Sequence, residues 1–202
     1  MLVQNKSRTL EITIPAVGLL IICALAYGLT AGKLGFFIDD WYIIWTYRTF
    51  GAGKFVEFFR GDRPFFSLIY RIFIPLIKDS PTSWQLFAIF TKWLSALSLW
   101  VLLRLLLPNK RWFALTASAL FAVYTGFKFH YFAVMYAQNY AIFAIYLFSY
   151  IFMVLAVRNP KRRLLFTVLG IICQFIGIVP MELYYGLELV RPIILFLLLS
   201  EE

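Results

Sequence analysis

Residues 12–32 contain no charged side chain, a run of 21 residues. As an α-helix rising about 1.5 Å per residue, such a run matches the roughly 30 Å hydrocarbon core of a bilayer. In lipid every backbone N–H and C=O must be satisfied within the chain, and a helix does this locally. Apolar stretches recur at residues 81–107, 112–127, 131–157 and 164–180. The expected fold class is therefore all-α, a polytopic transmembrane helical protein forming one domain over residues 1–202. Composition agrees: the chain is 62% hydrophobic and 14% charged, against about 45–50% apolar and about 25% charged in soluble domains. A soluble fold of this size has too little interior to hide so much apolar surface.

The net charge of +9 would suggest nucleic acid in a soluble chain. Here the cations fall mainly in short loops between apolar stretches, at Lys110 and Arg111 and at Arg158, Lys161, Arg162 and Arg163. That is the signature of membrane topology, so the implied partners are membrane lipids and not nucleic acid. Lys6 and Arg8 precede the first stretch and predict a cytoplasmic N-terminus. A cleaved signal peptide at Ala24-Leu25-Ala26 is the competing reading, and either one places the following segment outside. Cys23 and Cys173 both lie inside apolar stretches, which predicts buried thiols and not a disulfide. A single histidine excludes a multi-histidine metal site.

Residues 33–83 form the expected outer segment. Trp41, Ile44 and Trp45 share one helical face, and Gly51-Ala52-Gly53 ends that helix. Residues 65–77 are apolar but short and hold Arg71 and Pro75, so they predict a helix lying on the membrane. Ser80-Pro81 is a helix start, a capping serine before a proline at the first helical position. The pattern gives five spans and a sixth stretch, residues 192–200, that reaches only about 13 Å. Either the last helix begins before Leu187 and takes Glu188 and Arg191 into the membrane, or the chain is a fragment of a longer protein. The second reading is favoured.

The outer face of this topology collects Asp39, Asp40, Arg63, Lys92, His130, Gln138, Asn139, Glu182, Glu188 and Arg191. Adjacent carboxylates repel, so one of the Asp39-Asp40 pair should hold its proton more tightly unless a cation intervenes. Such a group can take a proton from a hydroxyl nucleophile. The structural alternative is that the pair caps the surface helix starting near Trp41. Lys92, inside the second span, must either snorkel or bind an anion. His130 has the place of an ordinary interfacial histidine, Gln138 and Asn139 of interhelical amides, and Glu182 of a structural ion-pair partner for Arg191 beyond it.

A single apolar helix, then Asp39-Asp40-Trp41 in the first outer loop, then surface helices and further spans resembles the GT-C glycosyltransferases. These include protein O-mannosyltransferases and aminoarabinose transferases. Asp62-Arg63-Pro64-Phe65, Tyr136-Ala137-Gln138-Asn139-Tyr140 and the segment from Glu182 to Pro192 also resemble segments of bacterial multispanning proteins of this type. The resemblance implies a multi-pass protein of the bacterial inner (plasma) membrane. It would move a sugar from a polyprenyl-phosphate donor to an acceptor hydroxyl on the extracytoplasmic face. Asp39 and Asp40 would be catalytic, and Arg63, Lys92, His130, Gln138, Asn139, Glu182 and Arg191 would bind substrate. A divalent metal is compatible with the resemblance, since oligosaccharyltransferases use one, but the sequence does not require it. The family's membrane core has about seven or more spans, more than this chain supplies. The rival class is non-enzymatic: a transporter or flippase subunit for lipid-linked substrates, or an assembly scaffold.

Overall fold

The computed structural model describes residues 2–124 and 131–200, with side chains from Glu11 onward. It is all-helical. Helix α1 (Leu2–Cys23) passes through a π-helical turn (Ala24–Gly28) into the short α2 (Leu29–Ala31). The segment of residues 33–80 holds α3 (Asp39–Phe50), the single turn α4 (Phe55–Phe58) and α5 (Phe66–Ile77). Then come α6 (Pro81–Leu106), α7 (Arg111–Ala122), α8 (Ala133–Arg158) and α9 (Arg163–Ile178). A 3-10 segment (Glu182–Leu189) leads into α10 (Val190–Ser200).

Among the described residues, four helical segments are long and apolar enough to cross a membrane: Glu11–Ala31, Pro81–Leu106, Ala133–Arg158 and Glu182–Ser200. Helix α9 has 16 residues, about 24 Å, and α7 has 12, about 18 Å. The sequence pattern alone expected five spans and an unfinished sixth. The last helical segment begins at Glu182, so Glu188 and Arg191 lie within it. Its length is gained from residues whose charge hid them from a reading based on apolar runs.

Helices α6 and α8 form the spine, with α1 and α7 on one side and α9 on the other. Small residues let α9 approach α8. A Cβ on Gly177 would come 2.7 Å from the Cβ of Tyr146, and one on Gly170 would sit 3.5 Å from the Ser149 carbonyl oxygen. Close backbone approach through small residues is how membrane helices gain packing energy without a hydrophobic drive. Helix α1 is held by two long-range bonds: Trp93 Nε1 donates to the Ala16 carbonyl at 2.9 Å, and Tyr27 Oη to that of Ala122 at 2.8 Å.

Local signals explain where α3 ends and α6 begins. Gly51, at φ 77°, terminates α3; a side chain there would be strained. Ser80 Oγ accepts from the Ser83 amide at 3.3 Å and Pro81 opens α6. Helix α5 is 12 residues long, about 18 Å, and buries Phe66, Ser67, Tyr70 and Ile74 while exposing Leu68, Ile72 and Leu76. The face expected on α3 is divided: Ile44 is fully buried beside Ile43, whereas Trp41 and Trp45 are each 55% exposed. Phe36, Phe55, Phe66, Tyr70, Trp84 and Val134 join these isoleucines in one core. That core fixes α3 and α5 against one end of α6 and α8.

Candidate functional site

Asp39 and Asp40, adjacent in sequence, go to different places. Helix α3 begins at Asp39, and Ile38 before it supplies no capping side chain. Ile38 also has φ 35°, a strained value for a β-branched residue. One residue further, Asp40 is completely buried. Its Oδ1 accepts from the amides of Val134 and Met135, both at 3.1 Å. These are among the first amides of α8, which lack partners within the helix. Asp40 is thus an N-cap delivered across the fold to α8, a helix that begins 93 residues later. The expected cap on the surface helix is replaced by a cap on a membrane helix.

Burial pushes the Asp40 carboxyl up to about 7, although the amide hydrogen bonds pull the other way. Desolvation wins because Oδ2 is buried with no hydrogen-bond partner among the described residues. Tyr70 packs beneath this point. Burial first, then the charges of Asp40 and Asp39, hold its phenol well above the ordinary range.

Asp39 is exposed and lines a cavity of about 450 Å³. Asp62 and Arg63 line it too, together with rings of Tyr42, Phe58, Phe59, Phe66 and Tyr70. A larger cavity of about 660 Å³ lies beside it, walled by Leu120, Phe121, Tyr136, Phe143, Leu183 and Tyr184 with Lys92, Arg63 and Asn139. Arg63 and Met135 belong to both walls, so the two cavities adjoin there. Arg63 binds Glu182 at 2.8 Å, yet its Nε is buried without a hydrogen-bond partner among the described residues. Asn139 Oδ1 and Gln138 Oε1 are in the same condition.

Lys92 is 4% exposed and turned inward. Its Nζ donates to Tyr140 Oη at 3.3 Å and lies 4.3 Å from the Tyr140 ring centroid and 4.7 Å from that of Phe121. Aromatic faces stabilise an ammonium held at the edge of an apolar cavity.

The structure therefore gathers Asp39, Arg63, Lys92 and Asn139 around two adjoining cavities, with Glu182 behind Arg63. Gln138, on α8 itself, is fully buried, its Nε2 donating to the Val134 carbonyl one turn back at 3.4 Å. Arg191 stands apart, paired with Glu188 at 2.8 Å and set against Ser149 and Tyr150 of α8. Its expected pairing with Glu182 is not formed; Glu182 takes Arg63 instead. His130 lies outside the described residues. The sequence places Asp62, Tyr136, Tyr140 and Tyr184 only within segments of the family resemblance and not among the site residues; their place beside the cavities or Lys92 appears only in the folded chain. Among the described residues no three His, Cys, Asp or Glu side chains come together as a metal would need.

The chain matches no protein-family model, no curated protein and no solved structure.

Proposed function

We propose that this is a membrane glycosyltransferase of GT-C type, transferring a sugar from a polyprenyl phosphate to an acceptor hydroxyl on the extracytoplasmic face. The observation that carries the reading is the junction of the two cavities at Arg63. One side offers an exposed carboxylate among aromatic rings, as a sugar and a hydroxyl acceptor require. The other offers an apolar wall with a buried lysine, as an isoprenoid phosphate requires. Arg63 stands where a phosphate-linked anomeric carbon would have to lie.

In this reaction Asp39 takes the proton of the acceptor hydroxyl. The acceptor oxygen forms a bond to the anomeric carbon as the bond from that carbon to the phosphate oxygen breaks, with inversion. The electron pair leaves on the lipid phosphate, which Arg63 and Lys92 stabilise. Asp40 does not touch the reactants; it positions α8, whose Met135, Tyr136 and Asn139 line the cavities. Membrane orientation follows the positive-inside pattern: N-terminus in the cytoplasm, α3–α5 on the outer surface, and α7 and α9 as part of a bundle of five or six crossings.

The test is transfer from a polyprenyl-phosphate sugar in liposomes, with Asp39→Asn compared against the parent chain. A large loss of transfer with unchanged folding supports the reading. Equal turnover rejects Asp39 as the base; no transfer by the parent chain rejects the reading and leaves the transporter or flippase class, which needs the apolar cavity but no base. Orientation is tested with single cysteines in a background lacking Cys23 and Cys173. An impermeant thiol reagent on intact cells should label position 54 and spare positions 110 and 161.

A further inference from the structure

A third cavity, of about 400 Å³, lies further along α8 than the proposed transfer site, beside residues 149–157 instead of 135–143. Three helices wall it: Met153 and Ala156 from α8, Phe166 and Thr167 from α9, and Leu195 and Leu199 from α10. An arginine marks each end. Arg163 opens α9, and Arg191 sits level with Gln174, because both bind the carboxylate of Glu188. The eleven residues from Arg163 to Gln174 set the length of the slot at about 16 Å.

The two arginines are in different states. Arg191 is committed: it bonds Glu188 through Nε and Nη2, bonds Ser149 Oγ at 2.9 Å, and stacks on Tyr150. Arg163 is exposed and makes no ion pair among the described residues. It ends a basic run with Arg158, Lys161 and Arg162. The slot thus has a cationic mouth, an apolar barrel and a sealed polar floor.

We infer that this slot is a binding site for one anionic phospholipid, its phosphate on Arg163 and one acyl chain lying between α9 and α10. Charge complementarity selects the headgroup, since basic pockets between membrane helices take anionic lipids. Size selects the tail. A helix about 10 Å across and about 16 Å long occupies on the order of 1,200 Å³, about three times the slot, so a partner helix does not enter it. The site is independent of the proposed transferase reaction.

The experiment is native mass spectrometry of the purified chain, titrated with phosphatidylglycerol or phosphatidylethanolamine carrying the same acyl chains. One phosphatidylglycerol should be retained at least tenfold more tightly than phosphatidylethanolamine. Arg163→Ala should remove that preference, and Thr167→Trp, which fills the barrel, should weaken retention of the lipid as a whole. The double variant Lys110→Ala/Arg111→Ala, in the other basic loop, should bind like the parent. Three results would overturn the inference: equal retention of the two lipids, equal loss from Arg163→Ala and the loop control, or glycerol phosphate binding as tightly as the whole lipid. The first two indicate general surface attraction, and the third indicates a site for free phosphate.

Discussion

Two polar clusters flank α8, and they differ in how fully their atoms are used. Around Glu188 every carboxylate valence is engaged. Oε1 accepts from Tyr146 Oη at 2.7 Å and Arg191 Nη2 at 2.9 Å, while Oε2 accepts from Gln174 Nε2 and Arg191 Nε, each at 2.8 Å. Around the N-terminal end of α8, Asp40 Oδ2, Arg63 Nε, Gln138 Oε1 and Asn139 Oδ1 are buried without hydrogen-bond partners among the described residues. A buried polar group left unsatisfied costs about 1–3 kcal/mol. A fold tolerates several together where something else is gained. The saturated cluster joins helices; in the unsaturated one Arg63 and Asn139 line cavities, while Asp40 caps α8. Both clusters hold an arginine and a carboxylate, so charge does not tell them apart; the completeness of the hydrogen bonding does.

The largest expected effect would break this comparison at the cavity. If Asp39 is the base, Asp39→Asn lowers transfer by about 10²–10⁴-fold, with the melting temperature in micelles unchanged. Asp40→Asn keeps an acceptor oxygen toward Val134 and Met135 and should retain most transfer. If instead Asp40→Asn abolishes turnover in well-folded protein while Asp39→Asn does not, the assignment of base and cap is reversed.

On the saturated side the expectation is the opposite: loss of stability without loss of chemistry. Glu188→Leu leaves Arg191 buried without its carboxylate, a change that costs about 3–5 kcal/mol in comparable buried pairs. Replacing both, with Glu188→Leu and Arg191→Met, should recover much of that loss, as an apolar pair substitutes for an ion pair. Chemical denaturation of the three variants measures this. A double variant no better than the single one would show that the arginine does more than satisfy its partner.

Protonation sharpens the contrast. The Asp40 carboxyl has an ordinary value of 3.8 and is held at about 7 in the folded protein. A raised folded value means that the native state binds the proton more tightly than the unfolded chain. Its contribution to stability is therefore fully present below about pH 4, declines as pH rises through 7, and is absent above. The melting temperature of the parent should fall between pH 5 and 8 more than that of Asp40→Asn. Equal slopes would mean that the carboxyl is more hydrated than its burial indicates.

Smaller effects test the scaffold. Gly177→Ala sets a methyl group against Tyr146 and should cost about 1–3 kcal/mol, because backbone cannot yield as a flexible side chain does. Lys78 ends α5 at φ 64° and ψ −149°, a region that only glycine occupies easily. Lys78→Gly should raise stability by about 1 kcal/mol. Thermal melts of both variants give the sign directly.

Local signals in the chain made much of this fold legible. Uncharged runs, Ser80-Pro81, Gly51 and the short helix around Pro75 each act through neighbours a few residues away. The last helical segment was not legible in the same way. Glu188 and Arg191 look like loop residues until Tyr146, Ser149 and Gln174 are brought to them. The proposed site divides similarly. Asp39, Arg63, Lys92 and Asn139 stood out as polar groups in apolar surroundings, but nothing in the spacing of residues 39 and 40 tells which carboxylate is spent on α8.

The sequence by itself determined an all-helical membrane protein with its charge mainly outside the long apolar stretches, because lipid admits no unsatisfied backbone and few cations. Tertiary structure alone decided that Asp40 caps a helix far along the chain, that Arg63 takes Glu182, and that Arg191 takes Glu188. The physical reason is range. Helix formation and membrane partition are set by the local run of residues, whereas hydrogen-bond partners and desolvation depend on which helices meet.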